Sequence, residues 1–278
     1  MVRGAIKQNL ARSNQPSSDG TTLYPIHFLD WDSDFFGFKM GSVDLSGIPA
    51  YNYSESAWQE TVAEAHRQGY QFLLCQIDAT AQLCANRILE SGARIGDILM
   101  TFRRDLAPAS WSTAGDSAIG EATEQDLPAL FEMAAASFGY SRFLQDSRFE
   151  PEKARQLYRN WLAQSYQKER VLVAKSASDP GAAVLGFISL GLDCGTGPAV
   201  IRLLATHPDA RGMGVGNRLM ARVFDLALQA GLQAVQVGTQ INNYGAIRFY
   251  EKMGFRCHHL KYRLHLWLDE RVISKTGW

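Results

Sequence analysis

Two segments of this 278-residue chain place chemically useful residue types at the spacings chemistry needs. The first runs Leu203-Leu204-Ala205-Thr206-His207-Pro208-Asp209-Ala210-Arg211-Gly212-Met213-Gly214-Val215-Gly216. It reads as a strand, a turn and an Arg-Gly-x-Gly-x-Gly loop opening a helix with the apolar stripe Val215, Leu219, Val223, Phe224 and Ala227. Glycines let several backbone N–H groups converge with no side chain in the way. A helix N-terminus adds partial positive charge, so the combination suits a pyrophosphate. A dinucleotide fingerprint does not fit: counted from Gly212, its last glycine falls on Asn217, and Gln236 stands where an acid is wanted. A Walker loop needs Gly-Lys-Ser/Thr, which is absent. A glycine turn with no ligand is the remaining alternative, and the three glycines with Arg211 favour a ligand. The second segment is Asn242-Asn243-Tyr244-Gly245-Ala246-Ile247-Arg248-Phe249-Tyr250-Glu251-Lys252-Met253-Gly254-Phe255. Asn243 is a good helix N-cap, and Asn243, Ala246 and Tyr250 share one helix face. A small residue between two polar ones leaves room for a ligand. Taken alone, this segment is better explained by a core tyrosine on the Ile247–Tyr250 stripe.

The elements that position these segments follow from periodicity and punctuation. Residues 1–22 are rich in Ser, Asn, Gln and Gly and read as a disordered leader. An aromatic stretch follows, with Trp31, Phe35 and Phe36, best explained by core packing. A helix is expected over 57–68, a strand over 70–77, a helix over 80–90 and a strand over 95–102. Residues 107–117 carry linker punctuation, so the division expected is a small α/β domain over 23–106 and a second domain over 118–278. There, strands are expected at 118–121, 170–175, 183–192, 199–206, 233–239 and 257–267. Helices are expected at 124–137, 151–167, 215–230 and 243–253, the first opened by a Thr123–Asp126 capping box. Gly69 and Gly92 are 23 residues apart (92 − 69), and so are Gly231 and Gly254 (254 − 231). Each pair brackets strand, turn and helix, which suggests a partial repeat. The first copy has Ile88 where the second has Tyr250, and no glycine loop precedes it.

Composition narrows the function classes. Lys+Arg and Asp+Glu are 28 each, so formal net charge is zero, which argues against nucleic acid or an anionic membrane surface as main partner. The four cysteines (Cys75, Cys84, Cys194 and Cys257) form no C-x-x-C and no zinc-ligand spacing. Reduced thiols, a cytoplasmic location and no metal are the expectation. No run approaches the ~18 apolar residues of a membrane span.

Together, Arg211–Gly216 and Asn243-x-x-Ala246-x-x-x-Tyr250 with Gly254-Phe255 resemble the GNAT family of N-acetyltransferases, over about residues 117–268. Leu29–Gly37, Gly139–Phe143, Asp146 and Arg148-Phe149 are further similar to sugar-nucleotide N-acetyltransferases, which carry a smaller domain before the GNAT fold and acetylate the 4-amino group of a dTDP-linked dideoxyhexose. The resemblance implies a GNAT fold, a mixed central sheet flanked by helices, and direct attack of an amine on the thioester of acetyl-CoA. It implies that Leu204, Ala205 and Thr206 face the pantetheine arm and that Arg211, Gly212, Met213, Gly214, Val215 and Gly216 hold the pyrophosphate. It likewise implies that Asn243 and Ala246 line the cofactor arm. Tyr250 is the implied general acid, since a tyrosine near pKa 10 is protonated at neutral pH while the leaving thiolate's is near 8.5. Ser141, Arg142 and Arg148 are the candidate acceptor contacts, because an arginine fork suits a phosphate. Glu169, Asp193 and His207 are weak base candidates, and none is chosen. The acceptor expected is a small-molecule amine. A peptide N-terminus is the alternative acceptor, a non-catalytic acyl-CoA-binding regulator the alternative class, and a homodimer is left open.

Overall fold

The computed structural model describes residues 23–107, 117–176, 183–192 and 197–268. The leader, most of the expected linker and Asp193 lie outside these residues. The described residues fall into two compact units, one of 23–95 with 262–268 and the other of 96–261.

The first unit opens with strand β1 (His27–Phe28), helix α1 (Asp30–Phe36) and strand β2 (Met40–Asp44). Helix α1 is where the sequence suggested only an aromatic stretch. Trp31 stacks on Phe35 at 5.2 Å, and Phe36 is buried. Helix α2 (Glu55–Arg67) starts at Ser54, whose hydroxyl accepts from Ala57 N–H at 3.2 Å. Strand β3 (Phe72–Asp78) and helix α3 (Gln82–Glu90) follow. β2 pairs antiparallel with β1 and parallel with β3, the latter over five residue pairs from Met40↔Phe72 to Asp44↔Gln76. Trp58, Val62, Leu73, Cys75 and Ile88 form the core, joined by Leu264 and Leu266 from the far end of the chain. Burial pushes the Cys84 thiol up to about 11, so this cysteine stays an inert thiol at neutral pH.

Strand β4 (Arg94–Asp105) is longer than the sequence suggests and carries the chain into the second unit. There follow β5 (Ser117–Glu121), α4 (Leu127–Ser137), the short α5 (Arg142–Gln145), α6 (Pro151–Lys168), β6 (Arg170–Ser176) and β7 (Gly186–Gly191). The described residues close with β8 (Ala199–Thr206), α7 (Val215–Gln229), β9 (Ala234–Gln240), α8 (Tyr244–Lys252) and β10 (Arg256–Trp267). The capping box before α4 is present: one Asp126 carboxylate oxygen accepts from Thr123 N–H and Oγ1–H, both at 2.9 Å. Burial opposes charge on Asp126, but Lys175 at 2.6 Å and the Thr123 bonds outweigh it and hold its pKa below the usual value. The strand order in this unit is β4-β9-β8-β7-β6-β5. Helices α4 and α6 cover one face through Leu130, Leu162, Phe187 and Leu203. Helix α7 covers the other through Leu219, Phe224, Ile188 and Ile201.

The internal repeat is geometric as well as textual. Helices α3 and α8, strands β3 and β9, and strands β4 and β10 are each displaced by 162 residues (244 − 82, 234 − 72 and 256 − 94). Gly69 and Gly231, and Gly92 and Gly254, are matched positive-φ positions. Leu106 N–H donates to Gln233 O at 2.8 Å, and its equivalent Leu268 N–H donates to Gln71 O at 3.0 Å. The last strands of the two copies are thus exchanged: β4 pairs antiparallel with β9, and β10 lies next to β3. The sequence division at 107–117 rests on linker composition. The compact units instead divide at Ile95/Gly96 and Lys261/Tyr262, inside the two exchanged strands, because strand pairing assigns residues to a sheet whatever their composition.

Candidate functional site

The site begins with a fault in the sheet. β7 and β8 pair in register up to Ser189↔Leu203, then resume at Leu190↔Ile201, which leaves Arg202 as an extra residue on β8. Such a bulge bends and twists its strand. Ser189, wholly buried, supplies a side-chain acceptor there: its Oγ accepts from Leu203 N–H at 3.0 Å. The bulge also reverses which face each residue meets. Ala199 and Ile201 pack under α7, whereas Leu203 and Ala205 pack under α4 and α6.

At the same place β8 leaves β9. Their parallel pairing covers only Ala199↔Val235, Val200↔Gln236 and Ile201↔Val237. From Leu203 to Thr206, β8 keeps β7 on one edge and has no strand pairing to β9 on the other. The backbone of Leu204, Ala205 and Thr206 therefore presents an open edge where β8 has left β9.

The glycine loop follows directly. His207 begins a short turn, its Nδ1 accepting from Asp209 N–H at 3.4 Å. Gly212 and Gly214 have φ of +80° and +76°, a region that other L residues enter at a cost of about 1–2 kcal/mol. Helix α7 starts at Val215 with Gly214 as its N-cap, so no side chain caps it. Arg218 N–H makes the first helical bond, to Gly214 O at 3.1 Å. The N–H groups of Val215, Gly216 and Asn217 precede it and are orphans of the helix start. Arg211 and Met213 beside them are exposed. Gly216 has a separate reason to be glycine. A Cβ there would lie 3.2 Å from the Phe249 ring on α8 and 4.0 Å from Thr206 Oγ1 at the end of β8. The loop, the strand end and α8 converge at that point.

Helix α8 is fastened at its start by Asn243. Oδ1 accepts from Ala246 N–H at 3.3 Å, and Nδ2–H donates to Thr239 Oγ1 at 3.2 Å. Thr239, the β9 residue that orients this amide, carried no sequence signal. Tyr250 is 5% exposed, and its ring lies 5.8 Å from Phe102, 5.5 Å from Phe249 and 5.7 Å from Phe255. Burial pushes its pKa well above the usual tyrosine value, so the phenol holds its proton.

The acceptor candidates divide. Ser141 is buried and caps α5, its hydroxyl accepting from Phe143 N–H at 3.3 Å. Arg142 lays its guanidinium over the Phe143 ring at 4.2 Å. Arg148 is exposed. Glu169 is paired with Arg202 at 3.0 Å, at the bulge, and accepts from Ser165 Oγ–H at 3.2 Å. An open groove of about 710 Å³ lies along α4, α5 and α6, and its lining includes Arg155 and Arg159 but none of the three acceptor candidates. Among the described residues, no cluster of three His, Cys, Asp or Glu could hold a metal, and no helix is long and apolar enough to cross a membrane.

Residues 128–255 match the acetyltransferase (GNAT) family. That span holds the bulge, the parted strands, the glycine loop and Tyr250. The second unit carries a GNAT acetyltransferase domain. The chain is 28% identical to a dTDP-fucosamine acetyltransferase of Escherichia coli over 85% of this chain and 96% of that protein. It is also 28% identical to the spore coat polysaccharide biosynthesis protein SpsD of Bacillus subtilis, over 54% of this chain and only 50% of that protein. A GCN5-related N-acetyltransferase from Sphaerobacter thermophilus shares the fold, with a TM-score of 0.61 at 16% identity, covering 91% of this chain and 79% of that one. The GNAT fold of the sequence reading is the fold observed, and the acetyltransferase match lies within the second unit.

Proposed function

We propose that the GNAT domain transfers the acetyl group of acetyl-CoA to the amine of an amino-sugar nucleotide, such as a dTDP-4-amino-dideoxyhexose. The observation that carries this reading is the parting of β8 from β9 at Arg202, next to the uncapped start of α7 and the Tyr250 helix. The cradle suits acetyl-CoA: an open strand edge for an amide-bearing arm and orphan N–H groups for a pyrophosphate. Leu204–Thr206 would hold the arm and Arg211–Gly216 the phosphates. Asn243 sets the entry of α8, and Ala246 leaves room on its inner face. Bound acetyl-CoA supplies an activated acetyl thioester. Tyr250 holds a proton on its phenolic oxygen for the departing sulfur. The two curated relatives named above support a sugar acceptor. Arg142 and Arg148 are the acceptor-side cations on this reading.

The test is CoA release, followed with a thiol reagent, across a panel of dTDP-linked amino sugars, peptides and polyamines. Turnover is expected with the amino-sugar nucleotides. Turnover confined to peptides would replace the acceptor class. Acetyl-CoA binding in calorimetry with no turnover on any amine would make the domain a regulator.

A further inference from the structure

The helix that bears Tyr250 is only nine residues long, and its far end is held by a residue from the other copy of the repeat. Helix α8 closes with two crossed bonds: Gly254 N–H donates to Glu251 O and Phe255 N–H to Tyr250 O, both at 2.9 Å. The Met253 carbonyl, between them, accepts from the guanidinium of Arg104 on β4. The same guanidinium lies over the Phe224 ring of α7 at 4.5 Å. A Cβ on Gly254 would sit 3.1 Å from it, so this glycine answers both to its φ of +80° and to the space Arg104 fills. Two residues earlier on β4, Phe102 packs on the Tyr250 ring. Alternate strand residues share a face, so one face of β4 seats both the tyrosine ring and the turn that follows it.

The other copy is built differently at the equivalent place. Its helix α3 ends with the same pair of bonds, Gly92 N–H to Leu89 O and Ala93 N–H to Ile88 O. There Leu266 takes the place of Arg104 (104 + 162), and Ile88 the place of Tyr250. The arginine accompanies the tyrosine.

We propose that Arg104 is a positioning residue for Tyr250. A cation at a helix C-terminus is favourable, and a guanidinium bonded to the last carbonyl fixes how far the helix sits along its own axis. With the start of α8 fastened by Asn243 and its end by Arg104, the Tyr250 ring is held at one height along the helix, against Phe102 of β4. Arg104 acts through the helix and touches no reacting atom.

This inference rests on Tyr250 being the proton donor of the proposed reaction, and the test separates the two. In R104Q, kcat should fall by roughly 10–100-fold with acetyl-CoA affinity within about threefold of wild type. Guanidinium chloride at low, non-denaturing concentration should restore part of kcat in R104A and none in Y250F. Hydrogen exchange in R104Q should lose protection at the end of α8 by about tenfold, with the start of α7 unchanged. R104K, which keeps the charge and N–H donors but loses the planar fork, should fall between and serves if R104Q fails to fold. Wild-type kcat in the arginine variants, or unchanged exchange at the end of α8, would overturn the positioning role. A Y250F variant with wild-type kcat would instead overturn the donor assignment, leaving the exchange result to judge the clamp itself.

Discussion

The two copies of the repeat share a backbone plan and differ wherever chemistry is possible. In the first, β2 and β3 are zipped together over five residue pairs. In the second, the matching strands β8 and β9 pair over three and then part. The first has Ile88 wholly buried in its core, where the second has a phenol. A parallel pair closed along its length spends its backbone groups on itself, while a pair that opens leaves them for a ligand. The difference teaches that the fold alone makes no active site. One extra residue on β8 and one glycine loop are where the second copy departs from the first, and the proposed cradle lies at those departures.

The sharpest way to break this comparison is Tyr250→Phe. The ring contacts with Phe102 and Phe255 are kept and only the hydroxyl is lost. A drop in kcat of roughly 10²–10⁴-fold is expected at nearly unchanged acetyl-CoA affinity, read from CoA release when chemistry limits the rate. Retention of most of the wild-type kcat would make Tyr250 as structural as Ile88. Because burial raises the Tyr250 pKa, loss of its proton should begin only above the ordinary value of about 10, so no alkaline limb near neutral pH should trace to it.

Gly214→Val should come next in size. Its φ of +76° is a poor place for a β-branched residue, and a Cβ would press on the Arg218 guanidinium at 3.2 Å. Acetyl-CoA affinity should fall at least about tenfold, with a loss of stability near 1–2 kcal/mol from backbone strain. Unchanged affinity by calorimetry would reject the loop as the phosphate cradle.

A stoichiometry experiment sharpens the contrast without any large effect. One acetyl-CoA should bind per chain, and Ile88→Tyr should not create a second site, since β2 and β3 stay zipped. Two per chain would contradict the reading of the first copy as closed. The smallest effect is expected from Trp31→Ala. Trp31 stacks on Phe35 in a helix of the first unit, so the thermal midpoint should drop by a few degrees, with kcat per folded molecule within about twofold. A stable variant with no turnover would give the first unit a catalytic share.

The sequence by itself determined what depends on nearby residues. The Thr123–Asp126 box, Asn243 as a helix start and the glycine loop all follow from side chains acting within a few positions of themselves. The constant spacing of the repeat was legible for the same reason, as was the placement of Ile88 against Tyr250. Only the tertiary structure decided what depends on strands far apart in the chain. The extra residue at Arg202 is defined by its pairing with β7, and nothing in Ala199–Thr206 marks it. The exchange of β4 and β10 moved the division between units away from the linker composition at 107–117, because backbone pairing is indifferent to side-chain type. It also brought Phe102 and Arg104 to a helix about 150 residues later in the chain. Local hydrogen bonding and periodicity can be read from neighbours in sequence, whereas a strand's partner, and hence the gap that opens where it has none, exists only once the sheet is assembled.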